Sequence, residues 1–439
     1  LGETECCDPV ESWLFTGIPS RSRPTFAGVN ATTMKLDETL LKRYANVMVH
    51  YALNDGKGIN AGDTVFLVGQ ECTRDLFLAI AEEVYAAGGN LITNYQPDNT
   101  KGTSLARLLL QTGTDEQLSF FASPYWKGIV EATDHICFIL SEPDIHYLEG
   151  IPSAKISRMN SARAPYMKMR EKKEQEGKLS WSLCLYGTQS MADEAGLSLD
   201  AYWEQIIEAC YLREEDPVAR WKSVQKEIET IKDKLDALAI DTVHIKGEDV
   251  DLQIKIGENR KWLSGGGKNI PSFEIFTSPD WRGTKGFIHF NQPLYYSGKR
   301  ITGVSLKFEN GIVIEASATE NEDALKEMIA QENADKVGEF SLTDRRHSRI
   351  TKFMANTLFD ENMGGEFGNT HIALGNAYKD TFTGDMAKVT DEEWVEMGYN
   401  SCPKVHTDII STSDRTVTAT LKDGSEKVIY SKGQFLLDA

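Results

Sequence analysis

Thr64-Val-Phe-Leu-Val-Gly69, the stretch from Arg74 to Ala87, and Asn90-Leu-Ile-Thr-Asn-Tyr95 follow one another closely. Together they decide the first half of the fold. The first is a short apolar run without alternation, as in a strand buried on both faces. The second carries Phe77, Ile80, Val84 and Ala87 at helical spacing and is stopped by Gly88-Gly89. The third is again a strand, and His135-Ile-Cys-Phe-Ile-Leu140 is a further buried one. Continuous apolar strands alternating with helices predict a parallel sheet covered on both faces, an α/β, Rossmann-like domain over residues 36–242. No G-x-G-x-x-G follows the first strand, so dinucleotide binding is not supported, and the architecture alone fixes no function.

Upstream, Asp37 is placed to cap a helix carrying Leu40, Leu41, Tyr44, Val47, Met48 and Tyr51. Residues 1–35, with Pro19, Pro24 and several Ser, read as an irregular leader. Downstream, Asp216-Pro217 opens a helix that runs to about Ala239. The pattern then changes. Val243–Lys246 and Asp251–Ile256 alternate with period two, Ile301–Phe308 and Ile312–Ala316 flank Asn310-Gly311, and Thr416–Leu421 and Lys427–Tyr430 flank Asp423-Gly424. Those are hairpin signals. A helix is expected over about Asn321–Glu332. The second domain, residues 243–439, is therefore expected to be α+β with a mainly antiparallel sheet.

Composition narrows the function. The 439 residues carry 47 Lys+Arg against 66 Asp+Glu, a formal charge of −19, dispersed over both halves. Such a chain has no general attraction to nucleic-acid phosphates or anionic membranes, so neither is expected as a partner. A hydrophobic fraction of 41% with 26% charged residues is that of a globular protein. The seven Cys contain no C-x-x-C, which argues against a thiolate zinc site or a disulfide framework and for reduced thiols. No apolar run is long enough to span a bilayer and no secretory signal pattern is visible, so the expected location is cytoplasmic.

The candidate chemistry lies in the second half. In Val405-His-Thr-Asp-Ile-Ile410, read as a strand, His406 and Asp408 project to the same face. They suit one metal ion or a pair of ions, or else hydrogen-bond to each other. His371 follows closely on a polar, Gly-rich stretch, Phe359-Asp-Glu-Asn-Met-Gly-Gly-Glu366. Glu274 stands between Phe273 and Ile275, and Glu339 lies in Val337-Gly-Glu-Phe. Each is either the solvent side of an alternating strand or a buried carboxylate needing a metal, a cation or a proton. Ser264-Gly-Gly-Gly267 reads as a flexible turn or an anion cradle. There is no G-x-S-x-G elbow, Walker loop or H-E-x-x-H helix.

Asn269-Ile-Pro-Ser-Phe-Glu-Ile-Phe-Thr-Ser-Pro279, Gly338-Glu339, Asn356-Thr-Leu-Phe-Asp-Glu-Asn362, His371-Ile-Ala-Leu-Gly-Asn-Ala-Tyr378 and Val405-His-Thr-Asp408 occur in that order. The set resembles the thermophilic-type metallo-aminopeptidases, the family of aminopeptidases T and S, over roughly residues 36–410. The resemblance implies two divalent metal ions, zinc, cobalt or manganese, in the C-terminal domain. It implies Glu274, Glu339, His371, His406 and Asp408 as ligands, with Tyr378 matching a tyrosine at the metal site. On this reading Glu339 shuttles the proton, Asp408 bridges the metals, and Tyr378 stabilises the oxyanion or completes the coordination shell. Peptides are the expected substrates and a homodimer the expected assembly. Two other readings stand beside it: a mononuclear iron ring-opening dioxygenase of the same fold, and a non-enzymatic protein that binds a small ligand.

Overall fold

The computed structural model describes residues 36–296, 299–402 and 405–438. The leader expected over residues 1–35 lies outside them. The expected strand–helix–strand unit is present as Thr64–Gln70, Arg74–Ala86 and Asn90–Gln96. The helix stops where Gly88 takes φ +80°, a conformation that Gly adopts without a Cβ penalty. The two strands pair in parallel with each other, and Thr64–Gln70 pairs in parallel with His135–Leu140 on its other side. Ser180–Leu185 and the two-residue strand Asn269–Ile270 extend this parallel sheet. Phe66, Ile136 and Leu179 are buried together at its centre. Asp37 caps the helix Glu38–Val47 by accepting from Leu40 N, and Asp216 caps Pro217–Ala237 by accepting from Ala219 N.

The second half holds an eight-stranded antiparallel sheet. Its order is Ile312–Ser317, Ser305–Glu309, Asp280–His289, Val250–Lys255, Ile240–Gly247, Arg415–Leu421, Glu426–Ser431, Gln434–Phe435. Asn310 and Gly311 both take positive φ, 52° and 82°, the twist-matched turn that joins two antiparallel strands. The strand expected over Ile301–Phe308 is instead two pieces, Lys299–Ile301 and Ser305–Glu309. Gly303, at φ +61°, turns the chain between them. The helix expected to begin at Asn321 is Glu322–Ile329, with Asn321 outside it in the left-handed region.

A five-stranded antiparallel sheet stands between the two, in the order His406–Ser411, Asn369–Gly375, Val337–Thr343, Glu274–Thr277, Leu263–Ser264. The chain reaches it directly from the parallel sheet, since Asn269–Ile270 belongs to one and Glu274–Thr277 to the other. One face of this sheet carries Ile275, Phe340, Leu342, Ile372, Leu374 and Ile409, all buried. That burial fixes the register, because a slip of one residue would exchange the two faces. Ser264-Gly-Gly-Gly267 is a close-packing element. A Cβ on Gly265 would meet Ser272 Oγ at 2.2 Å, and one on Gly267 would meet Ala52 O at 2.6 Å.

Candidate metal centre

The other face of the five-stranded sheet gathers the site. In the strand register Ser341 lies opposite His371, Glu339 and Asp408 both lie opposite Ala373, and His406 lies opposite Gly375. Glu274 lies opposite Thr343. Period-two alternation therefore puts Glu274, Glu339, His371, His406 and Asp408 on one face, from four adjacent strands. Ala373 and Gly375 are the small residues among them, and a Cβ on Gly375 would run into the Val405 carbonyl. A β-bulge at Gly338 shifts the register between Val337 and Glu339, just where the strand reaches the site. The extra residue turns Val337 to the apolar side, while Glu339 keeps the polar side that it shares with Ser341.

The side-chain atoms converge. His371 Nε2 is 3.3 Å from Glu339 Oε1, 3.4 Å from Glu274 Oε2 and 4.0 Å from Asp408 Oδ1. His406 Nε2 is 3.5 Å from Glu339 Oε2 and 3.7 Å from Asp408 Oδ1. Two donor groups result, Glu274/Glu339/His371 and Glu339/His406/Asp408, with Glu339 common to both. His406 and Asp408 share a face, as their spacing predicts, but at 3.7 Å they are not hydrogen-bonded to each other. Glu274 and Glu339 are buried, 8% and 3% exposed, so the solvent-side reading fails for both.

Two buried carboxylates, Glu274 and Glu339, and the half-buried Asp408 repel one another at this distance, and the protonation pattern follows from it. Burial raises the Glu274 and Asp408 carboxyls, with the Glu339 charge adding to the rise at each. Burial would raise Glu339 as well, but His371 and His406 outweigh it and hold its carboxyl at about 2. Burial opposes charge on the two imidazoles, yet the carboxylates raise both, His406 to about 9. Protons on the imidazoles thus balance charge that divalent cations would otherwise balance.

The donor set fits a metal. The ring of His406 is oriented by its Nδ1–H, which donates to Asn376 O at 2.7 Å, so Nε2 is the nitrogen left to ligate. Ser341 Oγ donates to Glu274 Oε2 at 3.1 Å, fixing that carboxylate. Phe273 N, one residue before Glu274, donates to Asn362 Oδ1 at 2.6 Å. Tyr378 packs its ring edge-on to His406, 4.6 Å between centroids, with Phe276 on another side. The residue as a whole is 43% exposed, but desolvation on its inner side, then the charges of Glu339 and Asp408, raise its phenol pKa. All six residues expected from the sequence are therefore brought together.

A profile of the thermophilic metalloproteases (M29) matches residues 37–435. The chain belongs to this family. This M29 metalloprotease is 27% identical over 416 residues to aminopeptidase AmpS of Bacillus subtilis, covering 89% of this chain and 98% of the relative. It is 25% identical over 415 residues to aminopeptidase T of Thermus thermophilus, covering 90% and 99%. The solved structure of wild-type AmpT from Thermus thermophilus superposes with a TM-score of 0.77 at 23% identity, covering 90% of this chain and 99% of that one. The fold of this M29 metalloprotease is thus that of aminopeptidase T, with mixed α/β content and antiparallel sheets. A 2,5-dihydroxypyridine dioxygenase from Pseudomonas putida is more distant, with a TM-score of 0.50 at 12% identity. The protein is a metal-dependent peptidase, a hydrolase. Among the described residues no helix is long and apolar enough to cross a membrane.

Two residues at the centre had been given no role from sequence. Glu361 is buried, and its carboxyl is raised by burial and then by the charges of Glu274 and Asp408. Asn362 is fully buried and holds the Glu274 strand in place. The available signal was the run Asp360-Glu-Asn362, three polar residues following the apolar Leu358-Phe359.

Proposed function

We propose that this metallopeptidase is a two-metal aminopeptidase that removes N-terminal residues from peptides. The observation that carries the reading is the sharing of Glu339 between two donor groups, one oxygen facing each imidazole. Glu274, Glu339 and His371 would hold one divalent ion, and Glu339, His406 and Asp408 the other. Glu339 would then contribute to both groups, and Asp408 to one of them. Carboxylate and imidazole donors suit zinc, cobalt or manganese. Such a pair, when bound, supplies an activated water and polarises the scissile carbonyl.

The chain's own residues do the rest. Asn376 O and Ser341 Oγ orient His406 and Glu274 before any ion arrives. Tyr378, its phenol held protonated, is placed to donate to an oxygen that gains charge during hydrolysis. The names of the relatives, aminopeptidases over 89–90% of this chain, support exopeptidase action.

Treatment with chelator should abolish cleavage of leucine-p-nitroanilide, and zinc, cobalt or manganese should restore it. Activity that survives both chelation and His406→Ala would refute the reading. Elemental analysis separates it from a mononuclear iron oxygenase, for which one iron per chain and no peptidase activity is the expected result.

A further inference from the structure

Glu361 is a buried carboxylate beside the centre that belongs to neither donor group. Its segment is pinned on both sides. Asp360 accepts from Met354 N at 2.7 Å and from Asn356 N at 2.9 Å, and Asn362 accepts from Phe273 N at 2.6 Å. Glu361 itself is 8% exposed. Among the described residues its side chain has one hydrogen-bond partner, Asn362 Nδ2 at 3.3 Å from Oε1, and no Lys or Arg pairs with it. Its backbone is tied to the strands of the centre: Thr343, which lies opposite Glu274 in the register, donates from Oγ1 to Glu361 O at 3.3 Å. A buried carboxylate with no cation of its own is costly when ionised, and a positive partner from outside the chain would relieve that cost.

The charge balance identifies that partner. Three carboxylate ligands against two divalent ions leave the loaded shell one charge positive. A peptide entering by its free N-terminus brings a second positive charge into the same buried space. Glu274 already accepts from Ser341, and Glu339 and Asp408 face the two imidazoles, so none of the three is free to receive it. We propose that Glu361 anchors the α-ammonium group of the substrate's first residue and so limits cleavage to free N-termini. An N-acylated peptide offers no cation and would leave Glu361 buried and unpaired, which disfavours its binding. This inference rests on the two-metal aminopeptidase reading.

The test uses the zinc-loaded full chain and the Glu361→Gln variant, which keeps the side-chain volume and removes the charge. Calorimetry measures binding of L-leucinamide and of N-acetyl-L-leucinamide, with zinc per chain determined in parallel. The variant is expected to retain zinc, to bind L-leucinamide at least about tenfold more weakly than the wild type, and to lose its preference for the free amine. KM for leucine-p-nitroanilide should rise, and Glu361→Asp should recover part of the binding. Wild-type binding of L-leucinamide by Glu361→Gln overturns the proposal, including the case where only kcat falls, which would make Glu361 a proton-transfer group. Loss of zinc from the variant overturns it in favour of a metal ligand. Failure of the underlying reading is separate: it appears in the wild type as activity insensitive to chelator.

Discussion

Gly338→Ala tests how the close backbone approach at Gly338 supports the centre. A Cβ on Gly338 would stand 2.3 Å from Asn376 O and 2.4 Å from Gly375 O. Both are backbone atoms and cannot rotate aside. Ordinary contact begins near 3.4 Å, so about 1.1 Å of movement is required. If the Asn376 carbonyl yields, its 2.7 Å contact with His406 Nδ1 opens to roughly 3.8 Å, which is no longer a hydrogen bond. If the Glu339 strand yields, the carboxylate leaves the two imidazoles it faces at 3.3 and 3.5 Å. Either path disturbs a group that orients the metal site. The expected cost is about 1–3 kcal/mol of stability, from overpacking. Metal affinity should fall by about 10–100-fold, the usual price of a lost outer-shell contact. Denaturant unfolding of the apo-protein measures the first, and zinc competition against a chromogenic chelator the second. Gly128→Ala is the control, because a Cβ there meets nothing within 4 Å. Wild-type zinc affinity in Gly338→Ala would refute the argument that the close backbone approach at Gly338 supports the metal site.

Gly128 lies inside the helix Ser123–Ala132, so its replacement by Ala should stabilise the protein by roughly 0.5–1 kcal/mol, read from the denaturation midpoint. Asn362→Ala leaves Phe273 N and Leu358 O without their partners in a fully buried position, and should cost at least about 2 kcal/mol while weakening zinc binding through Glu274. Burial raises the Asp360 carboxyl to about 7, against the backbone N–H groups that it accepts from. The folded state therefore keeps this proton while the unfolded chain loses it near the ordinary carboxylate pKa. Stability from this group is full below about pH 4 and falls as the pH rises to about 7, by as much as several kcal/mol. Asp360→Asn should flatten that part of the pH–stability profile, and parallel profiles for the two proteins would exclude the effect.

Much of this protein is written locally in its sequence. Apolar runs at Thr64–Gly69 and His135–Leu140 made parallel strands because burial on both faces needs nothing more distant than the run itself. Asp37 and Asp216 capped the helices they precede, and Asn310-Gly311 turned a hairpin, because each acts on its immediate neighbours. Period two placed His406 and Asp408 on one face without knowledge of any other strand. The ordered segments also carried the family resemblance, and with it all six site residues.

Other features were not local. Alternation could not tell whether Glu274 and Glu339 faced water, because that depends on what covers the sheet. The site requires residues 274, 339, 371 and 406 to meet across four strands, and the buried apolar face sets that register. Glycine is needed at 338 because carbonyls from residues 375 and 376 pass close by, and Glu361 is held beside the centre because Asp360 and Asn362 pin its segment from either side. Sequence alone determined which residue types were available and which way each strand presents them. Only the tertiary structure decided which of them share one buried space, because that depends on pairing between segments tens of residues apart.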